Sequence, residues 1–327
     1  MALRGSLRGS ALALLALAMT VPDVSAQTNF SSWLDGFRDR AVREGISQST
    51  LESAFAGVAP IERIIELDRK QPEGRMTFVE YRDKVISKHR INKGRELLRK
   101  HASILASTEA RFGVPAEVIV ALWGIESSFG EFKGRFPVID ALATLAWDGR
   151  REELFTRELI SALRILDEGH VERGNMFGSW AGAMGQSQFM PSTFAGYAVD
   201  ADGDGRRDIW SSLPDVFGSM ANYLSRIGWD RRYIWGREVS GIAGVPASMR
   251  GLEQKASLAR WAELGVRRKD GGPLPKAGID ASLVVMDDGK GPAYLIYDNY
   301  RVIMRWNRSS YFATSVGLLS DAIRSGS

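Results

Sequence analysis

A strongly apolar segment with one carboxylate near its end, residues 115–130, constrains the fold more than any other part of the chain. Proline suits the first turn of a helix and glycine commonly follows the last, so Pro115 and Gly130 predict a helix between them. Val118 and Leu122 begin the buried face of that helix, and Glu126 lies beside this face among apolar neighbours. Burial and the negative end of the helix dipole both raise the pKa of such a carboxyl group, as a general acid near neutral pH requires. The alternative interpretation is a helix-end glutamate that points to solvent.

A second informative segment, residues 178–192, is rich in glycine and alanine, which allow the backbone to approach a ligand closely. Its side chains Ser179, Gln186 and Gln188 are neutral hydrogen-bonding groups of the kind that bind sugar hydroxyls and N-acetyl groups. The alternative is a tight turn before a helix, because Pro191 and Ser192 would start a helix well.

Together these segments resemble the lytic murein transglycosylase B family, whose members cleave bacterial peptidoglycan and share a lysozyme-like core. The resemblance extends from residues 67–73 to Asn307. The matching segments are Leu-Asp-Arg-Lys-Gln-Pro-Glu at 67–73, Ala-Leu-Trp-Gly-Ile-Glu-Ser at 121–127, Val-Ile-Asp-Ala-Leu-Ala-Thr-Leu-Ala at 138–146, Gly-Ala-Met-Gly-Gln-Ser-Gln-Phe-Met-Pro-Ser at 182–192, Tyr-Ala-Val-Asp at 197–200 and Ala-Asn-Tyr at 221–223. The expected fold is therefore mainly α (α+β), with a lysozyme-like helical core, a helical N-terminal part and a small β-containing insertion.

The resemblance implies cleavage of the β-1,4 bond between N-acetylmuramic acid and N-acetylglucosamine, with a 1,6-anhydromuramyl end formed without water. Glu126 is expected to protonate the glycosidic oxygen and then to accept the proton of the C6 hydroxyl. One catalytic carboxylate fits that route, whereas ordinary glycosidases use two. A hydrolytic lysozyme-type muramidase is the nearest alternative, with Glu131 or Asp140 as the second acid. A non-catalytic, calcium-dependent wall-binding module is an alternative of another class.

The family's substrate contacts fall on five residues of this chain: Ser179, Gln188, Tyr223, Asn307 and Tyr81. A helix-packing role is the alternative for Tyr81.

The chain departs from the family near its end. The family stretch usually reads Tyr-Asn-x-Ser-x-x-Tyr, and here Trp306 and Phe312 replace the two tyrosines. Aromatic stacking is expected to persist at these positions, while the hydrogen bonds of the two hydroxyl groups are lost.

An acidic loop follows the glycine-rich segment, with aspartates at positions 1, 3, 5 and 9 and glycine at 6, as in an EF-hand loop. It predicts one structural Ca²⁺, with no organic cofactor. The predicted ligands are Asp200, Asp202, Asp204, the backbone carbonyl of Arg206, and Asp208, with Asp215 as the residue that would close the site. A metal-free acidic turn is the alternative. The three histidines are far apart and no His-Glu-x-x-His or Ser-His-Asp order occurs, which argues against zinc and acyl-enzyme chemistry.

Residues 1–26 read as a signal peptide: Arg4 and Arg8 precede an apolar run at 11–21, and small residues at 24–26 suit cleavage. A retained interfacial anchor is the alternative. The apolar run is too short to span a membrane, and the absence of cysteine leaves no thiol for a lipid anchor. The mature chain is therefore expected to be soluble and periplasmic, with no transmembrane segment.

The chain after the signal peptide is predicted to have four parts: an N-terminal helical part at 27–105, the catalytic core at 106–230, the β-containing insertion at 231–300 and a C-terminal segment at 301–327. In the first part a long helix is expected from about Thr77 to Leu98, and in the third two short strands at 282–286 and 292–297. The net charge of +4 is mild. Basic residues such as those at 90–99 lack interleaved aromatics, so they predict a solvated helix face and no nucleic-acid partner. Peptidoglycan strands are the expected partner, with wall-remodelling proteins as a further possibility.

Overall fold

A computed structural model describes residues 24–70 and 76–325, with side chains from residue 30 onward. The body of the predicted signal peptide, residues 1–23, lies outside the described residues, as does the pattern break predicted at 71–74. The described helices are α1 Val24–Arg43, α2 Gln48–Ala54, α3 Glu62–Arg69, α4 Phe78–Val85, α5 Lys88–Lys100, α6 Ala102–Phe112, α7 Ala116–Ser127, α8 Val138–Asp148, α9 Glu152–Asp167, α10 Pro191–Tyr197, α11 Leu213–Arg226, α12 Leu258–Glu263, α13 Met286–Gly289, α14 Asp298–Trp306 and α15 Ser310–Arg324. The described strands are β1 Phe136–Pro137, β2 Phe177–Gly178, β3 Gly236–Ser240, β4 Lys255–Ser257, β5 Arg267–Arg268, β6 Asp280–Val285 and β7 Ala293–Ile296.

Two large apolar clusters divide the helices between them. The first joins α1–α3 to α8, α9 and α10, with Phe30, Leu142 and Phe194 among its buried side chains. The second joins α4–α7 to α11, α14 and α15, with Leu122 and Phe217 at its centre. Trp306 and Tyr223 pack against both clusters, so they mark the place where the two meet. The four-part division predicted from the sequence stays a prediction.

The small sheet lies in the region predicted to be a β-containing insertion. Its five antiparallel strands run in the order β4-β6-β7-β3-β5. The predicted strand pair is present as β6 and β7, which pair from Ser282 opposite Ile296 to Val285 opposite Ala293. The sheet has its own apolar cluster around Trp261 and Leu295. The mainly helical fold with a small β-containing part is therefore confirmed.

The long helix predicted from Thr77 to Leu98 is wrong, because two helices, α4 and α5, share this stretch. Ile86 leaves the helical conformation, and the Ser87 hydroxyl accepts a hydrogen bond from the Arg90 amide, which starts α5. A capping serine outweighs a continuous apolar pattern here. The break matters for the site, since it sets the direction of α4, which carries Tyr81.

No helix among the described residues is long and apolar enough to cross a membrane.

Candidate active site

The helix that carries Glu126, α7, is buried along most of its length. Pro115 precedes its first residue, and its last turn is followed by three residues with positive φ, Ser128 (49°), Phe129 (60°) and Gly130 (82°). Left-handed backbone at residues other than glycine is costly, so the surrounding contacts must hold this helix end in place. The Phe129 amide bonds to the Trp123 carbonyl at 3.2 Å. Glu126 therefore lies in the last turn of a rigid, buried helix.

The Glu126 carboxyl is mostly surrounded by protein and keeps some exposure to solvent. Burial raises its pKa to about 7, and one hydrogen bond acts in the opposite direction. That bond comes from the indole Nε1 of Trp306, which donates to Oε1 at 2.6 Å. A carboxyl group with this pKa is protonated in a large share of molecules at neutral pH, so it has a proton to give.

Sequence reasoning missed the contact between Trp306 and Glu126. The replacement of tyrosine by tryptophan was expected to remove a hydrogen bond, but the indole brings a donor of its own. The signal was present in the sequence, because tryptophan is the other aromatic residue with a polar hydrogen. Phe312, the second replacement, is buried in the second apolar cluster and packs there.

Tyr81 on α4 lies close to Glu126. Burial raises the pKa of the Tyr81 hydroxyl, and the charge of Glu126 raises it further. The Tyr81 ring also contacts the ring of Tyr311, with centroids 5.8 Å apart. Tyr311 in turn donates a hydrogen bond to Asp287, whose carboxylate also accepts from the Phe78 amide at 2.9 Å. The β6–β7 hairpin thereby holds the start of α4 against the site.

Arg90 is a second neighbour that sequence reasoning missed, because residues 90–99 were interpreted as a solvated face. Its guanidinium is partly buried, which lowers its pKa, and it lies close enough to Tyr81 for their charges to interact. It donates to the Val85 carbonyl and, at 3.3 Å, to the Ser128 hydroxyl. Arg90 therefore joins the break between α4 and α5 to the end of α7.

The glycine-rich segment forms a compact turn before α10, which begins at Pro191 as the alternative interpretation anticipated. The Ser179 hydroxyl accepts from the amides of Ala181 and Ala183 at 3.3 and 3.0 Å. Gln188 has a positive φ of 51°, and its amide nitrogen donates to the Gly185 carbonyl at 2.8 Å. The Ser179 hydrogen and the Gln188 carbonyl oxygen have no partner among the described residues, so both can serve a ligand.

Gln186 has a different role from the one expected. Its side chain is buried, accepts from Trp123 Nε1 at 2.9 Å and donates to the Trp210 carbonyl at 2.9 Å. Both halves of the amide are thus used inside the protein. Gln186 links α7 to the acidic loop and is not available to a sugar.

Tyr223 and Asn307 are both neighbours of Trp306, the first through a ring contact and the second as the next residue in the chain. The Tyr223 ring contacts Trp306 and Tyr197, with centroids 5.0 and 4.6 Å apart, and its hydroxyl donates to the Arg305 carbonyl at 2.9 Å. Asn307 is exposed, and its side-chain oxygen accepts from the Ser309 amide at 3.1 Å. Glu126, Tyr81, Tyr223 and Trp306 together form what we call the Glu126 site.

Glu131 and Asp140, the two acids considered as a second carboxylate, and the buried Glu158 have partners elsewhere or face solvent. Glu131 is exposed, and Asp140 pairs with Arg173 at 3.2 Å. Asp140 lies in the first turn of α8, which follows Pro137 as its N-cap. Buried Glu158 accepts from the Ser192 amide and hydroxyl at 2.9 and 2.6 Å, at the start of α10.

The acidic loop brings together three of the predicted calcium ligands. Oxygens of Asp200, Asp202 and Asp204 all lie within 4.8 Å of one another. Asp200 also accepts from the amides of Gly203 and Gly205 at 2.6 and 2.9 Å, which curls the loop around its first carboxylate. Three carboxylates without imidazole or thiol donors fit a hard cation such as Ca²⁺.

Asp208 and Asp215 lie outside that cluster of three. The Asp208 carboxylate accepts from the Trp210 and Ser211 amides at 2.8 and 2.9 Å. Asp215 is buried on α11 and accepts from the Ala201 and Asp208 amides, each at 2.7 Å. Asp215 therefore braces the loop through its backbone, and a ligand role for these two carboxylates and for the Arg206 carbonyl stays a prediction.

Comparisons with known proteins identify the class of enzyme to which this helical fold belongs. The profile of the family described as "Transglycosylase SLT domain" matches residues 29–321. Membrane-bound lytic murein transglycosylase B of Escherichia coli (strain K12) is 31% identical over 301 residues, which span 88% of this chain and 81% of that protein.

Solved structures agree with the sequence comparison. SltB3 from Pseudomonas aeruginosa, in complex with NAG-anhNAM-pentapeptide, is 44% identical with a TM-score of 0.87, covering 90% of this chain and 79% of that one. The Escherichia coli lytic transglycosylase Slt35, in complex with calcium, is 30% identical with a TM-score of 0.76, covering 93% of this chain and 95% of that one. The chain belongs to the transglycosylase SLT family. It is a lytic transglycosylase of peptidoglycan with a lysozyme-like fold, which confirms the resemblance found in the sequence.

The contrast between Gln186 and Gln188 gives a first prediction. Gln186→Leu leaves the Trp123 indole and the Trp210 carbonyl without buried partners, so it should lower the free energy of unfolding by roughly 2–4 kcal/mol. Gln188→Ala is the matched variant: it should lower turnover of glycan while changing stability by less than about 1 kcal/mol. Urea unfolding and sacculus-clearing assays on both variants measure this. A Gln186→Leu protein as stable as wild type would contradict the structural role of Gln186.

Proposed function

We propose that Glu126 is the single acid and base of the reaction, and that the product carries a 1,6-anhydromuramyl end. The observation that carries the proposal is a carboxyl group whose pKa is raised by burial to about 7, at the end of a buried helix. In the first step its proton passes to the glycosidic oxygen as the bond to C1 breaks. In the second step the C6 hydroxyl attacks C1 and returns its proton to the carboxylate.

The surroundings of Glu126 favour this route over hydrolysis. A hydrolytic muramidase needs a second carboxylate to activate water or to bind C1. Glu131 is exposed and Asp140 is paired with Arg173, and the pKa of Glu126 responds to burial and to Trp306 rather than to either acid. The N-acetyl group of the substrate is then the natural stabiliser of positive charge at C1.

The substrate is proposed to contact groups that border the Glu126 site. Tyr81 and Tyr223 offer aromatic faces for sugar rings, and Ser179 and Gln188 each keep one polar group free among the described residues. Asn307 is exposed and keeps its amide hydrogens available. The complexes of SltB3 with NAG-NAM-pentapeptide and NAG-anhNAM-pentapeptide support a glycan that carries peptide stems.

The acidic loop is proposed to hold one structural Ca²⁺ through Asp200, Asp202 and Asp204, with Asp208, Asp215 and the Arg206 carbonyl as further candidates. The calcium complex of Slt35 supports this assignment. The ion would offset the mutual repulsion of the aspartates and stabilise the loop. The Gln186 side chain donates to the Trp210 carbonyl after the loop and accepts from Trp123 on α7. A stable loop therefore also supports the helix that carries Glu126.

Export to the periplasm is proposed from the signal-peptide pattern of residues 1–26. The location is consistent with a peptidoglycan substrate.

Glu126→Gln should abolish glycan cleavage, because an amide can neither give nor take the proton. General acid catalysis is typically worth about 10²–10⁴-fold, and one group here serves both steps. Release of soluble muropeptides from purified sacculi measures the effect, and circular dichroism checks the fold. Glu131→Gln is the matched control and should retain most activity. Near-normal turnover by folded Glu126→Gln would refute the assignment, and an equal loss in Glu131→Gln would favour the hydrolytic alternative.

Removal of calcium should lower thermal stability clearly. A ligand that binds only the native state stabilises it by about 2.7 kcal/mol at a hundredfold excess over its dissociation constant. EDTA should therefore lower the melting temperature of wild type, and Asp200→Ala should remove the calcium-dependent part of that stability. Asp35→Asn, at an exposed position on α1, is the control and should keep it. An unchanged melting curve with EDTA, together with no calcium uptake by calorimetry, would leave the loop as a metal-free turn.

A further inference from the structure

The hydrogen bond between Trp306 and Glu126 has a chemical direction that the family's tyrosine would not impose. An indole N–H donates and cannot accept, so Oε1 of Glu126 can only be the acceptor in this contact. The N···O distance of 2.6 Å is slightly shorter than the usual lower limit of about 2.7 Å for N–H···O bonds. A phenol hydroxyl can donate or accept, and it therefore leaves either carboxyl oxygen free to carry the proton.

The indole is held in place from several sides. Its ring contacts Phe189 and Tyr223, with centroids 5.2 and 5.0 Å apart. The Tyr223 hydroxyl bonds to the carbonyl of Arg305, the residue before Trp306, and so ties the last turn of α14 to α11. α14 ends at Trp306 itself, and the Asn307 amide bonds back to the Ile303 carbonyl at 3.2 Å. A ring fixed in this way keeps its N–H directed at the same oxygen.

We propose that Trp306 is a positioning residue that keeps Oε1 of Glu126 as an acceptor, so that Oε2 carries the catalytic proton in both steps. The proposal rests on the acid and base role proposed for Glu126 and adds which atom performs it. Oε2 gives its proton to the glycosidic oxygen, the C1–O bond breaks, and the bonding electrons stay with the leaving oxygen. The C6 oxygen then bonds to C1, and its proton returns to Oε2. Throughout, Oε1 keeps its bond to the indole.

The other charged or titratable groups around Glu126 are neutral or bound to other partners, so Trp306 is the group that directs its proton. Tyr81 faces it from α4, and the raised pKa of the Tyr81 hydroxyl keeps that group neutral. Arg90 on α5 is bound to Ser128 and to the Val85 carbonyl. Tyr223 on α11 is neutral, with a raised pKa, and bonds to Arg305. Within the described part of the chain, burial and the Trp306 N–H are the influences on the pKa of Glu126.

The hydrogen bond from Trp306 to Glu126 should shift the pH profile of kcat/KM in a defined direction. An N–H donor stabilises the carboxylate more than the neutral acid, so it lowers the pKa that burial raises. The first step needs the protonated form, and kcat/KM should therefore fall as pH rises through about 7. Trp306→Phe removes the donor and should move this alkaline limb to higher pH by about one unit. Trp306→Tyr keeps a polar hydrogen on the ring and should move the limb less.

Two measurements test the proposal. The first is NMR of the wild-type indole signals, with Trp306 assigned by its loss in Trp306→Tyr: its proton should titrate with a midpoint near 7, and the titration should vanish in Glu126→Gln. The second is the pH profile of Trp306→Phe and Trp306→Tyr on purified muropeptide chains. Tyr197→Phe is the control, because its ring contacts Tyr223 and the change keeps both the indole donor and the bond from Tyr223 to Arg305, so the alkaline limb of its pH profile should stay in place.

The outcomes separate this proposal from the one on which it rests. A titrating indole signal and a raised limb in Trp306→Phe support it. The proposal for Trp306 is overturned if its indole signal does not titrate, or if the alkaline limb of the pH profile does not move in folded Trp306→Phe. In either case an inactive Glu126→Gln leaves the acid and base role of Glu126 intact. Cleavage by Glu126→Gln would instead refute that role. If Trp306→Phe fails to fold, the NMR titration of the Trp306 indole proton in the wild-type protein tests the proposal by itself.

Discussion

A carboxyl group at the end of a buried helix is unfavourable, and the arrangement around Glu126 makes that position tenable. Burial raises its pKa to about 7, so the neutral form is well populated near neutral pH, in a place where the anion would be costly. The Trp306 indole donates to the carboxyl group and so stabilises its charged form, which the proposed reaction needs between its two steps. Both clusters of the helical core contribute, because Trp306 and Tyr223 pack against each of them. The geometry of the site therefore depends on the contact between the two apolar clusters.

Much of the fold and part of the site can be predicted from local patterns. The apolar helix with Glu126 in its last turn, the start of α10 at Pro191 and the β6–β7 hairpin all follow from periodicity and from proline and glycine positions. The break between α4 and α5 could have been found at Ser87, whose capping hydrogen bond competes with a continuous helix. The apolar pattern continues through Ser87 although the helix does not.

What could not be predicted are contacts between residues far apart in sequence. Gln186 has the same chemistry as Gln188, and only the fold decides that one amide is buried between Trp123 and Trp210 while the other donates to the Gly185 carbonyl and keeps its oxygen free among the described residues. Trp306 lies 180 positions from Glu126, so no local pattern reveals their bond. In the acidic loop, the spacing located three aspartates that converge. It did not reveal that Asp215, on α11, accepts from the Asp208 amide, or that Asp208 accepts from the Trp210 amide.

The central claim is that one carboxyl group cleaves the glycan without water. Mass spectrometry of muropeptides released from purified sacculi in heavy-oxygen water tests it most directly. If Glu126 acts as proposed, the wild-type protein releases 1,6-anhydromuramyl ends that contain no heavy oxygen, and Glu126→Gln releases none. Reducing ends that carry heavy oxygen at C1 would contradict it, because water would then be the nucleophile.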